Sequence, residues 1–356
     1  MIPAADRPVL AADENGLNSG EVMPADTTQP AVTLVDPAGL EAYRRELTGY
    51  CYRMLGSAFE AEDAVQDVML RALRASDTFE GRSSVRAWLY RIATNVCLDV
   101  LRGRKRRAWP AALGSPSRPD LDLLGPEFPE STWISPIPDA SVLPAGGDAA
   151  ELAVARETIK LAFVTALQHL TGRQRAVLLL NQVLGFEAPE IAGQLDTTVG
   201  AVYSALQRAR ARLRALPAAQ QSTGVGGDQA ALLARYVDAF ERYDVPALVD
   251  LMRADAIHSM PPWAMWVRGS ADIGAWLLAA GADCPGSRMI PVRANGSPAF
   301  GHYKKDPAGG HASWALQVLH VVDGRIAELH CFHDVALFPL FGLPAHLPPE
   351  QPASSR

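Results

Sequence analysis

Hydrophobic positions recur at helical spacing in two separate stretches of the chain. Leu47, Tyr50, Cys51, Met54 and Leu55 form one apolar stripe, ended by Gly56. Ala64, Val65, Val68, Met69, Ala72 and Leu73 form a second. Val85, Trp88, Leu89, Ile92, Ala93, Val96, Cys97, Val100 and Leu101 form a third, closed by Gly103 and a basic run. These stripes predict a helical bundle over residues 39–107. Helical patterning resumes over 151–216. There Thr171-Gly-Arg-Gln174 fits a capping box that opens a helix through Ala176, Val177, Leu178 and Leu180, and Gly185 breaks it. A short helix follows over Glu187–Leu195, with Ile191, Ala192 and Leu195 inward. Asp196-Thr-Thr198 makes a tight turn into a longer helix. Its inward face is Val199, Val202, Leu206, Ala209 and Leu213. Its outward face carries Tyr203, Ser204, Gln207, Arg208, Arg210, Arg212 and Arg214. Two helices joined this way predict a helix-turn-helix.

From residue 229 the pattern changes. Leu232, Leu233, Tyr236, Val237, Phe240 and Tyr243 predict one amphipathic helix, and Asp244 caps the next, with Pro246 in its first turn. After about residue 287 the period becomes two. MIPVRANG, SPAFGHYKK, ASWALQVLHVVDG and RIAELHCFHD read as four strands, with Asp323-Gly324 as a hairpin turn. Helices followed by strands predict an α+β domain over 229–345, with helices packed on a curved sheet. Three stretches show no period. Residues 1–38 read as a disordered acidic tail, 108–150 as an acidic, proline-rich linker and 217–228 as a flexible Gly/Ser joint crossed by few ordered contacts. Residues 346–356 read as a C-terminal tail.

Charge sharpens this division. The formal net charge of the 356 residues is −6, but residues 40–107 hold 13 basic and nine acidic residues, and residues 170–216 hold six and three. The linker between them holds one basic and six acidic residues. Nucleic-acid binding depends on such local patches rather than on the overall sign. Arg102, Arg104, Lys105, Arg106 and Arg107 place five cations in six residues, suited to phosphates. The preceding helix interleaves Trp88 and Tyr90 with Arg86 and Arg91, which suits stacking on unpaired bases. The outward Arg, Gln and Ser side chains of the last helix can read base edges in a major groove. A solvated basic helix face would carry the same residues. No stretch approaches the ~18 apolar residues of a membrane span. The N-terminus lacks a basic start and an apolar core, so no secretory signal is expected. Cys51, Cys97, Cys284 and Cys331 are scattered, which argues against a zinc site or a disulfide framework and fits a reducing cytoplasm.

The strings GSAFEAEDAVQDVMLRAL, RAWLYRIATNVCLDVLR and LTGRQRAVLLLNQVLGFEAPEIAGQLDTTVGAVYSALQRARARLR resemble regions two and four of bacterial RNA polymerase sigma factors of the extracytoplasmic-function group. The resemblance implies two all-α sigma domains, a region-two helical bundle and a region-four helix-turn-helix. It implies core RNA polymerase, through its β′ clamp helices and β flap, and promoter DNA as partners. Glu62, Asp63, Gln66 and Asp67 then match the clamp-docking surface. Trp88 and Asn95 match residues that melt and read the minus-ten element, and Arg102 to Arg107 match the duplex-contacting segment. Tyr203, Ser204, Gln207, Arg208 and Arg210 fall where the minus-35 element is read. Tyr203 stands where relatives often carry Arg, and Glu187 where Ser or Thr usually starts the helix. The linker would run near the nascent RNA path, where residues 120–148 would mimic RNA charge or act as a plain spacer.

The pieces YVDAFERYDVPALVDLMRADAIHSMPPWAMWVRG and VVDGRIAELHCFHDVALFPLFGLP resemble the SnoaL-like cone fold, related to nuclear transport factor two. Met260, Trp263, Trp266, Trp314, His320 and His330, with His333 and Asp334, are candidate residues of its pocket, for a small ligand. We expect no catalytic residue, cofactor, metal or membrane partner. The expectation is a cytoplasmic sigma factor whose C-terminal domain regulates it, favouring autoinhibition, since two basic blocks adjoin a domain of opposite net charge. Two other classes fit parts of the chain. A SnoaL-like isomerase or hydrolase could carry a DNA-binding module, and a helix-turn-helix repressor would never meet polymerase. The acidic helix speaks against the repressor.

Overall fold

The computed structural model describes residues 37–79, 81, 83–144, 146, 148–215 and 229–349. The tail over 1–36, the joint over 216–228 and the last residues from 350 lie outside the described residues.

The first helical stretch forms α1 (Pro37–Glu41), α2 (Arg44–Leu55), α3 (Ala58–Ala75) and α4 (Val85–Leu101). Gly56, at φ 76°, ends α2, a conformation that costs other residues more. The Ser57 hydroxyl accepts from the Glu60 amide (3.4 Å) to open α3, and the Ser84 hydroxyl accepts from the Ala87 amide (3.1 Å) to open α4. The predicted stripes meet in one core, where Leu47, Met54, Leu55, Val65, Val68 and Leu89 are buried. Leu73 departs from its stripe and faces solvent at 39 % exposure.

The second stretch forms α7 (Ala149–Glu157), α8 (Leu161–Leu167), α9 (Gly172–Leu178), α10 (Ala188–Gln194) and α11 (Val199–Arg214). The capping box is present: the Thr171 hydroxyl accepts from the Gln174 amide (3.3 Å), and the Gln174 side chain accepts from the Thr171 amide (3.1 Å). A π-helical turn over Leu179–Val183 extends α9 toward Gly185. Asp196 sits at φ 47° in the turn between α10 and α11, and the Thr198 hydroxyl caps α11 through the Ala201 amide (3.2 Å).

The C-terminal domain forms α12 (Gln229–Arg242), α13 (Val245–Asp250), β1 (Met252–Ser259), β2 (Trp266–Arg268), α14 (Ser270–Ala280), β3 (Arg288–Ala294), β4 (Ser297–Lys305), β5 (His311–Val322), β6 (Arg325–Phe332), α15 (Leu337–Leu340) and β7 (His346–Leu347). The seven-stranded sheet runs β2-β1-β6-β5-β4-β3, with β7 added to β5, and β1 is parallel to β6. The four predicted strands are β3 to β6. Asn295-Gly296 and Asp323-Gly324 turn their hairpins with positive φ at both positions, as two-residue turns matching sheet twist require. β1, β2, α14 and β7 were not legible; the alternation of β1 breaks at the adjacent apolar residues Ala256 and Ile257, and β7 falls in the stretch read as tail.

Period two divides the sheet into two faces. Phe300, Leu319, Leu329 and Cys331 face inward and pack with Leu232, Tyr236 and Phe240 of α12 and Trp276 of α14. Ala299, Tyr303, Leu316, Val318 and Phe332 face outward and belong to the same cluster as the sigma-like helices. The linker fills part of that outer layer. It forms only short elements, α5 (Pro110–Leu113), α6 (Asp139–Val142) and 3-10 turns at Leu121–Leu123 and Glu130–Thr132, yet Trp133, Ile134 and Ile137 are buried. The expectation that few ordered contacts tie the C-terminal domain to the rest is therefore overturned. The contacts run through the linker and the outer face of the sheet.

Candidate nucleic-acid interface

Amphipathic α3 buries Ala61, Ala64, Val65 and Val68, which leaves its acids outward. Glu62, Asp63 and Gln66 are exposed; Asp67 is half-buried and pairs with Arg71 at 2.8 Å. Burial and the neighbouring Asp63 push the Glu62 carboxyl up from its ordinary range. Leu70, one turn on, is 52 % exposed, an apolar residue on a polar face that the stripe pattern did not flag.

On α4 the Trp88 ring is half-buried against Phe79, centroids 5.0 Å apart, while Asn95 is exposed. Beyond the helix, Arg102 pairs with Asp99 at 2.9 Å and Arg104 pairs with Glu60, while Lys105 and Arg106 are exposed. Arg107 departs from the expected phosphate-contacting series. Its side chain is buried, pairs with Glu60 at 2.9 Å and Glu130 at 3.1 Å, and donates to the Trp133 carbonyl. A guanidinium so engaged joins the linker to α3 and offers nothing to DNA in this arrangement. On α11, Tyr203 is 59 % exposed, and Ser204, Gln207, Arg208 and Arg210 are exposed beside it.

These surfaces do not lie on independent domains. Arg91 of α4 pairs with Asp196 of the helix-turn-helix turn at 3.2 Å. The Tyr90 and Phe186 rings meet edge to face at 5.6 Å, with the Arg86 guanidinium 5.1 Å from the Phe186 centroid. Arg175 of α9 donates to the Met54 carbonyl at the end of α2, and burial pulls its pKa down to about 10. Arg53 of α2 reaches the other way, donating to the Thr158 carbonyl (3.1 Å) and hydroxyl (2.9 Å). Gly172 allows α9 to approach α4 closely, since a Cβ there would stand 3.0 Å from Leu98 Cδ2.

A junction at the Asn295-Gly296 turn fastens the C-terminal domain to this pair. The Asn295 side chain donates to the Tyr52 hydroxyl (2.7 Å) and the Ile159 carbonyl (2.6 Å) and accepts from the Ile137 amide (3.0 Å). Asp139 accepts from the Gly296 amide (2.7 Å) and from Arg293 (3.1 Å). One buried asparagine thus serves α2, the linker and the start of the helix-turn-helix domain together. Two acids of the stretch expected to mimic RNA or act as a plain spacer are paired within the chain, Asp139 buried against Arg293 and Glu130, still exposed, against Arg107.

The chain matches the family models Sigma-70 region 2 over residues 40–107, Sigma-70, region 4 over 160–213, and SnoaL-like domain over 233–329. It is 45% identical over 317 residues to the ECF RNA polymerase sigma factor SigG of Mycobacterium tuberculosis, covering 87% of this chain and 84% of that protein. The chain belongs to the extracytoplasmic-function sigma factors. The ECF sigma factor SigW of Bacillus subtilis is 30% identical over 175 residues, 49% of this chain and 84% of that one. The crystal structure of the Mycobacterium tuberculosis extracytoplasmic function sigma factor SigJ is similar in fold, with a TM-score of 0.55 and 22% identity, over 87% of this chain and 100% of that chain.

Within the SnoaL-like domain of this sigma factor, the six candidate pocket residues separate into two groups. Met260, Trp263 and Trp314 stay together on the inner side. Trp276 Nε1 donates to the Met260 sulfur (3.1 Å), and the Trp263 and Trp314 rings both meet His333 edge to face, at 5.2 and 5.7 Å. Trp266, His320 and His330 lie on the outer face, because each is in register with outward residues. Trp266 donates to the Gly114 carbonyl of the linker (2.9 Å), and His330 lies under Trp109 at 4.6 Å, bonded to Ser259 (2.8 Å) and Glu328 (2.8 Å). His320, its pKa lowered by burial, also feels the charges of Glu328, Lys160 and Glu157. Period two carried that separation, but it was not applied to residues from different strands. The inner side instead gathers His258, His302 and His333, two of which the sequence reading did not single out. Burial depresses them to about 4, about 3 and about 3, with Lys304 adding to the effect on His302 and His333. The linker reaches this side too. Its Leu124 packs against the inner cluster, and its Ser117 and Phe128 amides donate to the Trp266 (2.8 Å) and Pro262 (2.9 Å) carbonyls. Among the described residues no cluster of His, Cys, Asp and Glu could hold a metal, and no helix is long and apolar enough to cross a membrane.

Proposed function

We propose that this sigma factor, acting in the cytoplasm as an initiation factor and not as a catalyst, is held silent by its own C-terminal domain. Core polymerase would dock on the α3 face of Glu62, Asp63, Gln66 and Asp67, with Leu70 as an apolar anchor, through the clamp helices, while the β flap takes region four. Trp88, Asn95, Arg102, Arg104, Lys105 and Arg106 would then engage the minus-ten element. Tyr203, Ser204, Gln207, Arg208 and Arg210 would read the minus-35 element.

The packing of α4 against α9 and α10 carries this reading. Elements centred about 25 base pairs apart lie ~85 Å apart along a duplex at 3.4 Å per base pair. Two DNA-reading units in side-chain contact cannot reach both. Initiation therefore requires regions two and four to separate, and the outer face of the sheet and the linker oppose that. A small ligand on the Met260, Trp263 and Trp314 side would act by favouring one arrangement over the other.

Co-purification of core polymerase with the full-length protein tests the reading. The double variant Asp63→Arg, Asp67→Arg should lose polymerase and shift its thermal midpoint little, since Asp63 is exposed and the partly exposed Asp67–Arg71 pair contributes at most about 1 kcal/mol. Retention of polymerase by that variant would overturn the clamp assignment.

A further inference from the structure

A basic groove of about 440 Å³ runs between region two and region four. Arg104, Lys105 and Arg106 come from the segment after α4, His169 and Arg175 from region four, and Arg212 from the last turns of α11. Glu60 is the one acid in the lining, and the guanidinia of Arg104 and Arg107 share it. Among the described residues Lys105, Arg106 and Arg212 have no acidic partner. Arg106 stands 3.1 Å from His169 Nδ1, and burial, Arg106 and Arg212 together lower the His169 pKa.

Arg175 is the unusual member. It is 3 % exposed, a degree of burial that normally demands a carboxylate partner for a guanidinium. Its two terminal nitrogens go to the carbonyls of Met54 and Leu170, and its Nε has no partner. A wall of cations with one acid, to which the buried Arg175 guanidinium adds a charge with no carboxylate of its own, is incomplete without an anion.

We propose that this groove binds a small phosphorylated anion of the nucleoside di- or triphosphate class, which ties region two to region four. The volume is that of small-molecule sites, about 300–1,000 Å³. Several guanidinia around one site suit phosphate oxygens, which accept in pairs and carry more than one charge. Regions two and four and Ser131 of the linker form its walls. Bound anion would cover Lys105 and Arg106, two of the cations assigned to promoter DNA, and would favour the packed arrangement.

Calorimetric titration and thermal melting of the full-length protein test this without polymerase or promoter, so failure here leaves the sigma-factor reading standing. Inorganic tripolyphosphate and ATP are the probes, with sodium sulfate at matched ionic strength as the control. Tripolyphosphate should bind one to one and raise the melting midpoint. The exposed pair Arg106→Ala, Arg212→Ala should weaken it at least tenfold without altering the unliganded midpoint. Arg214→Ala, two residues past Arg212 and outside the groove lining, should bind as the parent does. Tighter binding of ATP than of tripolyphosphate would add a nucleoside contact to the assignment, and equal binding would confine it to the phosphates. An equal response to sulfate, or unchanged binding by the double variant, would overturn the proposal. So would displacement of tripolyphosphate by a 15-base-pair duplex at lower concentration, which would assign the groove to nucleic-acid backbone.

Discussion

The two faces of the C-terminal sheet are built from the same strands and do different work. The inner face closes on its own helices, with Phe300, Leu319, Leu329 and Cys331 against α12 and α14. The outer face closes partly on α15 of its own domain, where Phe338 meets Tyr303, and otherwise on other parts of the chain. Tyr303, Leu316, Val318 and Phe332 are buried within the cluster that also holds the cores of regions two and four. Damage to the inner face should therefore unfold a domain, while damage to the outer face should release one. On the autoinhibition proposed above, one sheet is both a fold and a latch.

The largest expected difference is in acid. Seven of the eight histidines follow residue 215, and His169 alone represents the sigma regions. His258, His302 and His333 on the inner side are held neutral, with pKa values of about 4, about 3 and about 3. Unfolding restores ordinary imidazoles near 6.5, so the unfolded chain takes up more protons between pH 6.5 and 4. Stability is complete above that window and falls as pH falls through it, by up to ~1.4 kcal/mol per pH unit for each ring. Urea unfolding followed at pH 7, 6 and 5 should show the C-terminal domain losing stability first, by several kcal/mol. His302→Gln should flatten the slope. A midpoint independent of pH would break the comparison at its inner side.

Next in size is Leu319→Ala. Leu319 is fully buried in the inner cluster, and removing a buried leucine side chain costs about 2–5 kcal/mol, depending on how far the cavity collapses. Hydrogen exchange should accelerate in β4, β5 and β6 and stay unchanged in α2 and α3. Acceleration spread equally into region two would mean that the domain and its latch unfold as one unit.

Much of this division was written in the sequence, and the unread part has physical causes. Helical stripes placed α3, α4 and α11 because each buries one face, while α2 is buried all round from Leu47 to Leu55, and the capping box at Thr171 fixed a helix start. The Asp-Gly turn paired β5 with β6. The linker's role escaped because order there comes from partners distant in the chain: Trp109 covers His330, and Asp139 holds Gly296. Local periodicity carries no trace of such contacts. One signal was available. The central residues of β4 and β5 are buried on both faces, and a near-continuous apolar run such as ALQVL, broken by Gln317 alone, indicates a sheet covered on both sides. Arg107 escaped for a related reason: its neighbours are solvated cations, and only the return of Glu130 in space distinguishes it. The surface assignments on α3 and α11 rest on residues that the fold leaves exposed, which the stripes alone had implied.

Asn295→Ala probes the outer side directly. It leaves the Ile159 carbonyl, the Tyr52 hydroxyl and the Ile137 amide without their shared partner, at a cost of about 1–3 kcal/mol for buried polar groups left unmade. Because the turn that it breaks joins domains, the loss should appear as release. Run-off transcription with core polymerase should rise several-fold over the parent protein, while the inner-face substitution Leu319→Ala should raise it less for the same loss of stability. Equal or lower output from Asn295→Ala would show that docking does not restrain the sigma regions.

The smallest effect belongs to Arg91→Ala. The Arg91–Asp196 pair joins region two to region four at 3.2 Å, but the two side chains are 48 % and 77 % exposed. Exposed pairs of this kind contribute about 0.2–1 kcal/mol, and salt screens them over a length of ~8 Å at 0.15 M. The substitution should raise transcription by less than about fivefold at low salt and have no effect at high salt, while the response to Asn295→Ala should persist. This contrast separates a latch made of buried hydrogen bonds and apolar packing from one made of surface charge. Were Arg91→Ala to release the sigma regions as fully as Asn295→Ala at every salt concentration, the restraint would lie between regions two and four themselves. The outer face of the sheet would then be a passenger on that contact rather than its cause.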